Sequence, residues 1–252
     1  GQVLGILGES GSGKSVTLRA LIGLLPPERS VIGGSIGFGG TDIAAAQTAR
    51  LADLRGRKIA MIFQEPMLAL DPVFTIGDQI AEAIVRHEGA TWSDAYKRAQ
   101  ELLELVQIPS AARRLRNYPH EMSGGMRQRA MIALALSCRP EVLLADEPTT
   151  ALDVTVQIQI VLLLRSLQRE LGMSVIFVTH DVGVAVEISD RLAVMYSGRI
   201  VEAGTTAEVN GAPRHPYTAG LLGSSVRTAR KGVPLRTIPG LPPDLRRLPV
   251  GC

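Results

Sequence analysis

Cysteine is nearly absent: the 252 residues contain two, Cys138 and Cys252. They are far apart and fit no metal-ligand spacing, which excludes a disulfide framework and points to a reduced, cytosolic setting. Aromatic residues are scarce at 4% and the net charge is a mild +3. The basic and aromatic surface of a single-strand nucleic-acid binder is therefore missing, and no nucleic-acid partner is expected. Long apolar runs are missing too. The longest, Ala130 to Leu136, falls far short of the ~20 residues that cross a bilayer, and no signal-peptide pattern opens the chain; work at a membrane would go through partners. The chain opens on Gly1 instead of Met, with a strand pattern at once, and stops at Leu248-Pro249-Val250-Gly251-Cys252 without a helix or cap, so both ends read as trimmed. What is present, 46% hydrophobic and 20% charged residues, suffices for one large α/β domain or a core domain with a smaller insert.

The most informative stretch is Gly8-Glu9-Ser10-Gly11-Ser12-Gly13-Lys14-Ser15, which fits the phosphate-binding pattern G-x-x-x-x-G-K-[ST]. The chemistry needs these residue types. Glycines let backbone N–H groups close on phosphate oxygens, Lys14 adds a mobile positive charge, and the Ser15 hydroxyl is suited to ligate Mg²⁺. Val3 to Leu7 reads as a short buried strand ahead of the loop, and Val16 to Ile22 as a helix whose N-terminal dipole faces the phosphates. The reading is a nucleoside triphosphate site; the bland alternative is a flexible Gly/Ser turn.

Further along, Pro26-Pro27 ends the helix, and Gly33 to Gly40 reads as short strands and turns. Lys58 to Phe63 is a buried-strand pattern closed by Pro66, which leaves Gln64 at a strand end facing a loop. From Ile76 to about Leu136 the pattern is that of a helical insert between sheet strands. Thr91 and Asp94 resemble a capping box, and Ala95, Ala99, Leu102, Leu103 and Val106 share one apolar face. Arg113, Arg114 and Arg116 read as a solvated basic face, with a phosphate or lipid site as the alternative. Ser123-Gly124-Gly125 leads into a helix over Ala130 to Ser137, as a second anion-binding helix start or as an ordinary N-cap.

Val142 to Ala145 is a parallel-strand pattern that delivers Asp146-Glu147 at its carboxyl end. In that arrangement an Asp holds Mg²⁺ through water while a Glu faces the attacking water as general base; a salt-bridged surface pair is the alternative. Asp153 suits the N-cap of a helix marked by Ile160, Leu164, Leu167 and Leu171 and stopped by Gly172. Val175 to Val178 leaves His180 at a strand's carboxyl end, where ligands bind in open α/β sheets, although a lone histidine there is as well explained by structure. Leu192 to Tyr196, Ser197-Gly198 and Arg199 to Glu202 read as a hairpin. Beyond Asn210 come Pro213, Pro216, Pro234, Pro239, Pro242, Pro243 and Pro249, so the tail is expected to be irregular and to wrap over another surface rather than form a core.

In order and nature these motifs resemble those of the ATPase subunits of ABC transporters: Walker A over Gly8 to Ser15, Q-loop at Gln64, signature at Ser123 to Gly125, Walker B at Asp146 and Glu147, D-loop at Ala151 to Asp153, H-loop at His180. The joint pattern is far more specific than any part of it and covers nearly the whole chain. Ser123 to Arg129, Ala145 to Thr155 and His215-Pro216-Tyr217-Thr218 are similar to phrases of the oligopeptide/dipeptide importers, as are Ile238-Pro239-Gly240, Pro249, Gly251 and Cys252 of the tail. Nickel and glutathione importers share these phrases. Met126 stands where the general family has Gln, which matches the subgroup's usual variant. The family's N-terminal strands, with their adenine-stacking aromatic residue, are not found ahead of Gly1. Members of the subgroup often continue past the position of Cys252 with further cysteines, but one cysteine supports no iron–sulfur claim.

The resemblance implies the ABC ATPase form of the P-loop NTPase fold: α/β, with a mostly parallel sheet core over 1–75 and 137–210, a helical subdomain over 76–136 and an irregular C-terminal extension over 211–252. It implies ATP and Mg²⁺, with Gly8, Glu9, Ser10, Gly11, Ser12, Gly13, Lys14, Ser15, Val16, Gln64 and Asp146 around the nucleotide and Ser15, Gln64 and Asp146 around the metal. Catalysis would fall to Lys14, Gln64, Glu147 and His180. Two ATPase subunits would pair head to tail, so that Ser123, Gly124 and Gly125 of one reach the nucleotide held by the other. The implied partners are that second ATPase subunit, two transmembrane permease subunits and an extracytoplasmic substrate-binding protein, with this chain peripheral at the cytoplasmic face of the membrane. The loop after Gln64, with the helical insert, would take a coupling helix of the membrane subunit. Two rivals remain: a soluble ABC ATPase acting on DNA or ribosomes, which long heptads or a tandem cassette would favour, and an ATP-binding module without turnover, which would lack Glu147 or His180.

Overall fold

Short aliphatic runs separated by amphipathic stretches set an alternation of strand and helix, and the computed structural model describes it over residues 1–46 and 48–224, with 237, 238, 243 and 245. The strands are β1 (Val3–Leu7), β2 (Gly37–Phe38), β3 (Thr41–Asp42), β4 (Ile59–Ile62), β5 (Val142–Asp146), β6 (Ser174–Thr179), β7 (Arg191–Tyr196) and β8 (Arg199–Thr205). The first helices are α1 (Lys14–Leu21), α2 (Thr48–Leu54), α3 (Pro66–Ala69), α4 (Ile76–Glu88), α5 (Trp92–Leu105), α6 (Ala111–Arg114) and α7 (Gly124–Leu136). They are followed by α8 (Val154–Leu171), α9 (Val182–Ile188), α10 (Thr206–Gly211) and α11 (Pro216–Gly223).

The main sheet runs β4-β5-β6-β1-β7-β8. It is parallel from β4 to β7, and β8 closes the edge as the antiparallel arm of the expected hairpin. Ser197 and Gly198 both have positive φ, 49° and 79°, as a tight turn matched to strand twist requires. The carboxyl ends of β1, β5 and β6 lie side by side, and each opens into a loop that carries a sequence motif. This is where α/β sheets bind ligands.

Helices cover both sheet faces. On one, Ile80, Ile84, Leu103, Met131, Ile132 and Leu136 join Leu143, Phe177 and the inner face of α8 in one continuous core; each such side chain withdrawn from water stabilises the fold by ~1.5–3 kcal/mol. The helical segment is thus bonded to the sheet through α7. On the other face Leu18 of α1 and Ile22 just past it pack on Ile6, Leu144 and Val178.

Several local expectations hold in detail. Asp153 caps α8 by accepting from Val156 N–H at 3.0 Å, and Gly172 ends it at φ 66°. The Thr91–Asp94 box is only half built: Thr91 Oγ1 accepts from Asp94 N–H, but the Asp94 carboxylate takes the Thr91 hydroxyl instead of the backbone. Complete boxes are found at Thr75 with Asp78 and at Thr205 with Glu208. Arg113 and Arg116 are exposed as expected, whereas Arg114 is half-buried.

The segment around Gly33 to Gly40 is short strand and turn as expected, leading through the two-residue strands β2 and β3. Two readings need correction. The signature helix begins at Gly124, not Ala130, because Ser123 caps it by accepting from Met126 N–H at 3.3 Å. The expected irregular extension is wrong over 216–223, where α11 forms with Pro216 at its first turn; Pro lacks the N–H that position would leave unsatisfied and is pre-set for helix there. Tyr217 and Leu221 of α11 build a core cluster with Leu7, Leu192, Val194 and Val209. Pro234, Pro239, Gly240, Pro242, Pro249, Gly251 and Cys252 lie outside the described residues.

Candidate functional site

The loop from β1 into α1 wraps a cavity of about 610 Å³ lined by Glu9, Ser10, Gly11, Gly13, Lys14, Ser15 and Val16, with Gln64, Glu147, Thr150, His180 and Leu245 across from them. Gly11 and Gly13 have φ 80° and 100°, a left-handed backbone that side-chain-bearing residues avoid. Gly8 is needed for a different reason: a Cβ there would stand 2.3 Å from the Met195 carbonyl oxygen of β7. Gly13, at the N-cap of α1, offers no side-chain bond to the helix start, so the first N–H groups of α1 are left for a ligand.

Lys14 folds back over the loop, donating from Nζ to the carbonyls of Gly8 and Glu9, both at 2.8 Å. Ser15 donates from Oγ to Asp146 Oδ1 at 2.7 Å, which puts a hydroxyl and a carboxylate oxygen side by side. Glu147, half-buried one residue past β5, has φ 44°, a conformation rare for a residue with a side chain. Its carboxylate lies 3.7 Å from Lys14 Nζ and accepts from Thr150 Oγ1 at 3.0 Å. His180 Nδ1, at the end of β6, is 3.0 Å from Glu147 Oε2. Against an ionised carboxylate that contact requires Nδ1 to carry a proton and donate it.

These charges are poorly solvated. Lys14 is 4% exposed and Asp146 2%. Burial pulls the Lys14 ammonium below its ordinary value, with Glu147 and Asp146 offsetting part of that. Burial likewise pushes the Asp146 carboxyl up, against the Ser15 hydrogen bond that lowers it. Ser12 Oγ is buried with no hydrogen-bond partner. A triphosphate with a divalent cation fits this set, because phosphate oxygens would meet the ammonium and free N–H groups while the cation would meet Ser15 and Asp146. No group of three or more His, Cys, Asp or Glu side chains able to hold a metal occurs among the described residues.

Ser123, Gly124 and Gly125 do not line this cavity. They lie against the start of α8, with Leu152 Cδ2 3.6 Å from a Cβ built on Gly124 and Val156 Cγ1 2.9 Å from one on Gly125. The family model described as ABC transporter matches residues 1–150, and that of the oligopeptide/dipeptide transporter C-terminal region matches 201–252. The chain belongs to the ABC transporter ATPases. Within that family it is 49% identical to the dipeptide transport ATP-binding protein of Bacillus subtilis, over 100% of this chain and 76% of that protein. It is 50% identical to the oligopeptide transport ATP-binding protein of Salmonella typhimurium, over 100% of this chain and 75% of that one. Among solved structures, a dimeric post-hydrolysis ATP-binding cassette bound to ADP and Pi superposes with a TM-score of 0.72 at 30% identity, covering 81% of this chain and 85% of that one. A Clostridium perfringens cassette, part of an ABC transporter complex, gives a TM-score of 0.71 at 29% identity, covering 84% and 80%.

Two residues of this ABC ATPase escape a reading of its sequence as motifs. Thr150 reads as part of a polar turn, yet its hydroxyl holds the Glu147 carboxylate; its place three residues after an acidic strand end was the available signal. Tyr217 accepts a hydrogen bond from Glu9 N–H across 208 residues, and no local pattern announces such a contact.

Proposed function

We propose that this ABC ATPase couples ATP hydrolysis to import of oligopeptides or dipeptides, working with two permease subunits at the cytoplasmic face of a membrane and with an extracytoplasmic substrate-binding protein. The observation that carries the ATPase half is the meeting of Lys14, the Ser15–Asp146 pair and the Glu147–His180 pair on one cavity. The peptide half is supported by the C-terminal family match and by the names of the relatives. No helix among the described residues is long and apolar enough to cross a membrane, which accords with a subunit that borrows its membrane path from partners. The division into core at 1–75 and 137–210, helical subdomain at 76–136 and extension at 211–252 belongs to the same reading.

Mg²⁺, held by Ser15, Asp146 and Gln64, would supply charge neutralisation on the phosphates. Lys14 binds the phosphate oxygens and stabilises the charge they gain as the terminal bond breaks. Glu147 takes a proton from the attacking water, and His180 and Thr150 fix the carboxylate that does so. Gln64 faces the same cavity from the end of β4 and orients the water or the terminal phosphate. Ser123, Gly124 and Gly125 act on the nucleotide of a second ATPase subunit, a reading supported by their place outside the cavity of their own P-loop and by the exposure of Ser123.

The test is reconstitution of the full-length chain with its co-purifying membrane subunits in vesicles. ATP-dependent accumulation of a di- or oligopeptide series is expected. Uptake of Ni²⁺ or glutathione without peptide uptake would move the assignment to those importers, and ATPase activity with no membrane partner would return it to a soluble ABC ATPase.

A further inference from the structure

We infer that the Tyr217 hydroxyl of α11 is a positioning group for the P-loop, fixing the peptide that Lys14 grips from the other side. The inference rests on the reading of that loop as the ATP site.

The Gly8 carbonyl and the Glu9 N–H belong to one peptide unit, which is planar and turns only as a whole. Lys14 Nζ donates to the carbonyl edge of that unit at 2.8 Å, and Tyr217 Oη accepts from its N–H edge at 3.3 Å. Any rotation that breaks one bond breaks the other. A backbone N–H this close to the core must find a partner, and here it finds one in a side chain far along the sequence rather than in the loop.

Tyr217 is itself rigidly placed. It is 6% exposed, with its ring against Tyr196 of β7 at 4.4 Å between centroids. Glu202 of β8 fixes the start of α11 by accepting from Arg214 N–H at 2.8 Å and His215 N–H at 3.0 Å. His215 Nδ1 then accepts from Tyr217 N–H at 3.2 Å, capping the helix. Burial pushes the phenol up to about 12, so it keeps its proton and its hydrogen-bonding role across the working pH range. The path from β8 through α11 ends on the loop that cradles phosphate, and it gives the C-terminal segment a grip on nucleotide affinity.

Tyr217→Phe removes the hydroxyl and keeps the ring. In the full-length protein it should weaken Mg-ATP binding about 3- to 10-fold, the scale of one hydrogen bond, and raise KM more than it lowers kcat. The melting temperature should stay unchanged, and the Glu9 amide, protected from hydrogen exchange in the wild type, should exchange faster. Lys14→Ala run in parallel separates the two levels of the argument. If Lys14→Ala loses Mg-ATP affinity while Tyr217→Phe binds normally with Glu9 still protected, the positioning role of Tyr217 is wrong. If Lys14→Ala binds Mg-ATP as well as wild type, the P-loop reading itself fails, and this inference with it.

Discussion

The molecule has two helix starts that read alike, a Ser/Gly-rich turn running into a helix, and they end in opposite situations. At α1 the capping position is Gly13, no side chain satisfies the first N–H groups, and buried Lys14 and Asp146 stand beside them. At α7 the cap is Ser123, which accepts from Met126 N–H, and the Arg127 guanidinium of the first turn donates to the Met122 carbonyl at 3.0 Å. The first end leaves its N–H groups beside a buried ammonium of its own chain. At the second, Ser123 takes the Met126 N–H and is itself exposed, outside the cavity lined by the first. Similar local sequence therefore sets up the same dipole, and the surroundings decide whether it becomes a site.

The largest expected effect lies at the first end. Glu147→Gln keeps the shape and the Thr150 and His180 contacts but removes the base, so turnover should fall about 10²- to 10⁴-fold with Mg-ATP binding retained. ATPase rate and nucleotide titration measured on the same preparation check this, and near-normal turnover would take Glu147 out of its role. The second end is tested by mixing. Ser123→Arg and Lys14→Ala chains should each be inactive, and a mixture with free subunit exchange should recover part of the activity, because one composite site then carries both lesions and the other none. No recovery would reduce Ser123 to a plain N-cap and end the contrast as drawn.

Smaller effects sharpen the same contrast in stability. Gly8→Ala forces a Cβ against the Met195 carbonyl at 2.3 Å and should cost about 1–3 kcal/mol, the range for overpacking. Gly124→Ala meets only Leu152 at 3.6 Å and should leave stability level or raise it by up to about 1 kcal/mol through helix propensity. Urea unfolding of the two variants gives both numbers. The smallest effect concerns Asp190, which accepts from Val3 N–H at 2.8 Å and so anchors the strand that presents the P-loop. The Arg165 guanidinium holds its carboxyl below the ordinary 3.8, with Val3 N–H adding to this against a burial that raises it. The ionised form is favoured in the folded state, so its contribution is full above about 3.8 and fades as pH falls through the lower folded value. Asp190→Asn should flatten that part of the acid-unfolding curve, and an unchanged curve would show that the anchor adds nothing.

Much of the fold was legible because strand and helix periods are local. Val142 to Ala145, Val175 to Val178 and the Ser197-Gly198 hairpin became strands and turn as their patterns required. The caps Thr91, Asp153 and Gly172 likewise sit at helix ends. Misreadings fell where counting residue types replaced mechanism. The prolines after Asn210 suggested an irregular tail, yet Pro216 starts a helix, since proline obstructs a helix interior and not its first turn.

The sequence by itself determined the inventory: a Gly-rich loop with Lys14 and Ser15, an acidic pair at a strand end, a histidine at another, and six motifs in an order that identifies a family. Each needs only neighbours along the chain, so spacing reveals it. Only the tertiary structure decided that β1 inserts between β6 and β7 and sets Lys14 within 3.7 Å of Glu147. It also decided that Ser123 lies outside the lining of that cavity and that Tyr217 reaches Glu9 across 208 residues. Strand order and long-range hydrogen bonds are settled by which buried faces and backbone groups find partners in the collapsed chain, and backbone groups are the same at every residue, so no local pattern encodes them.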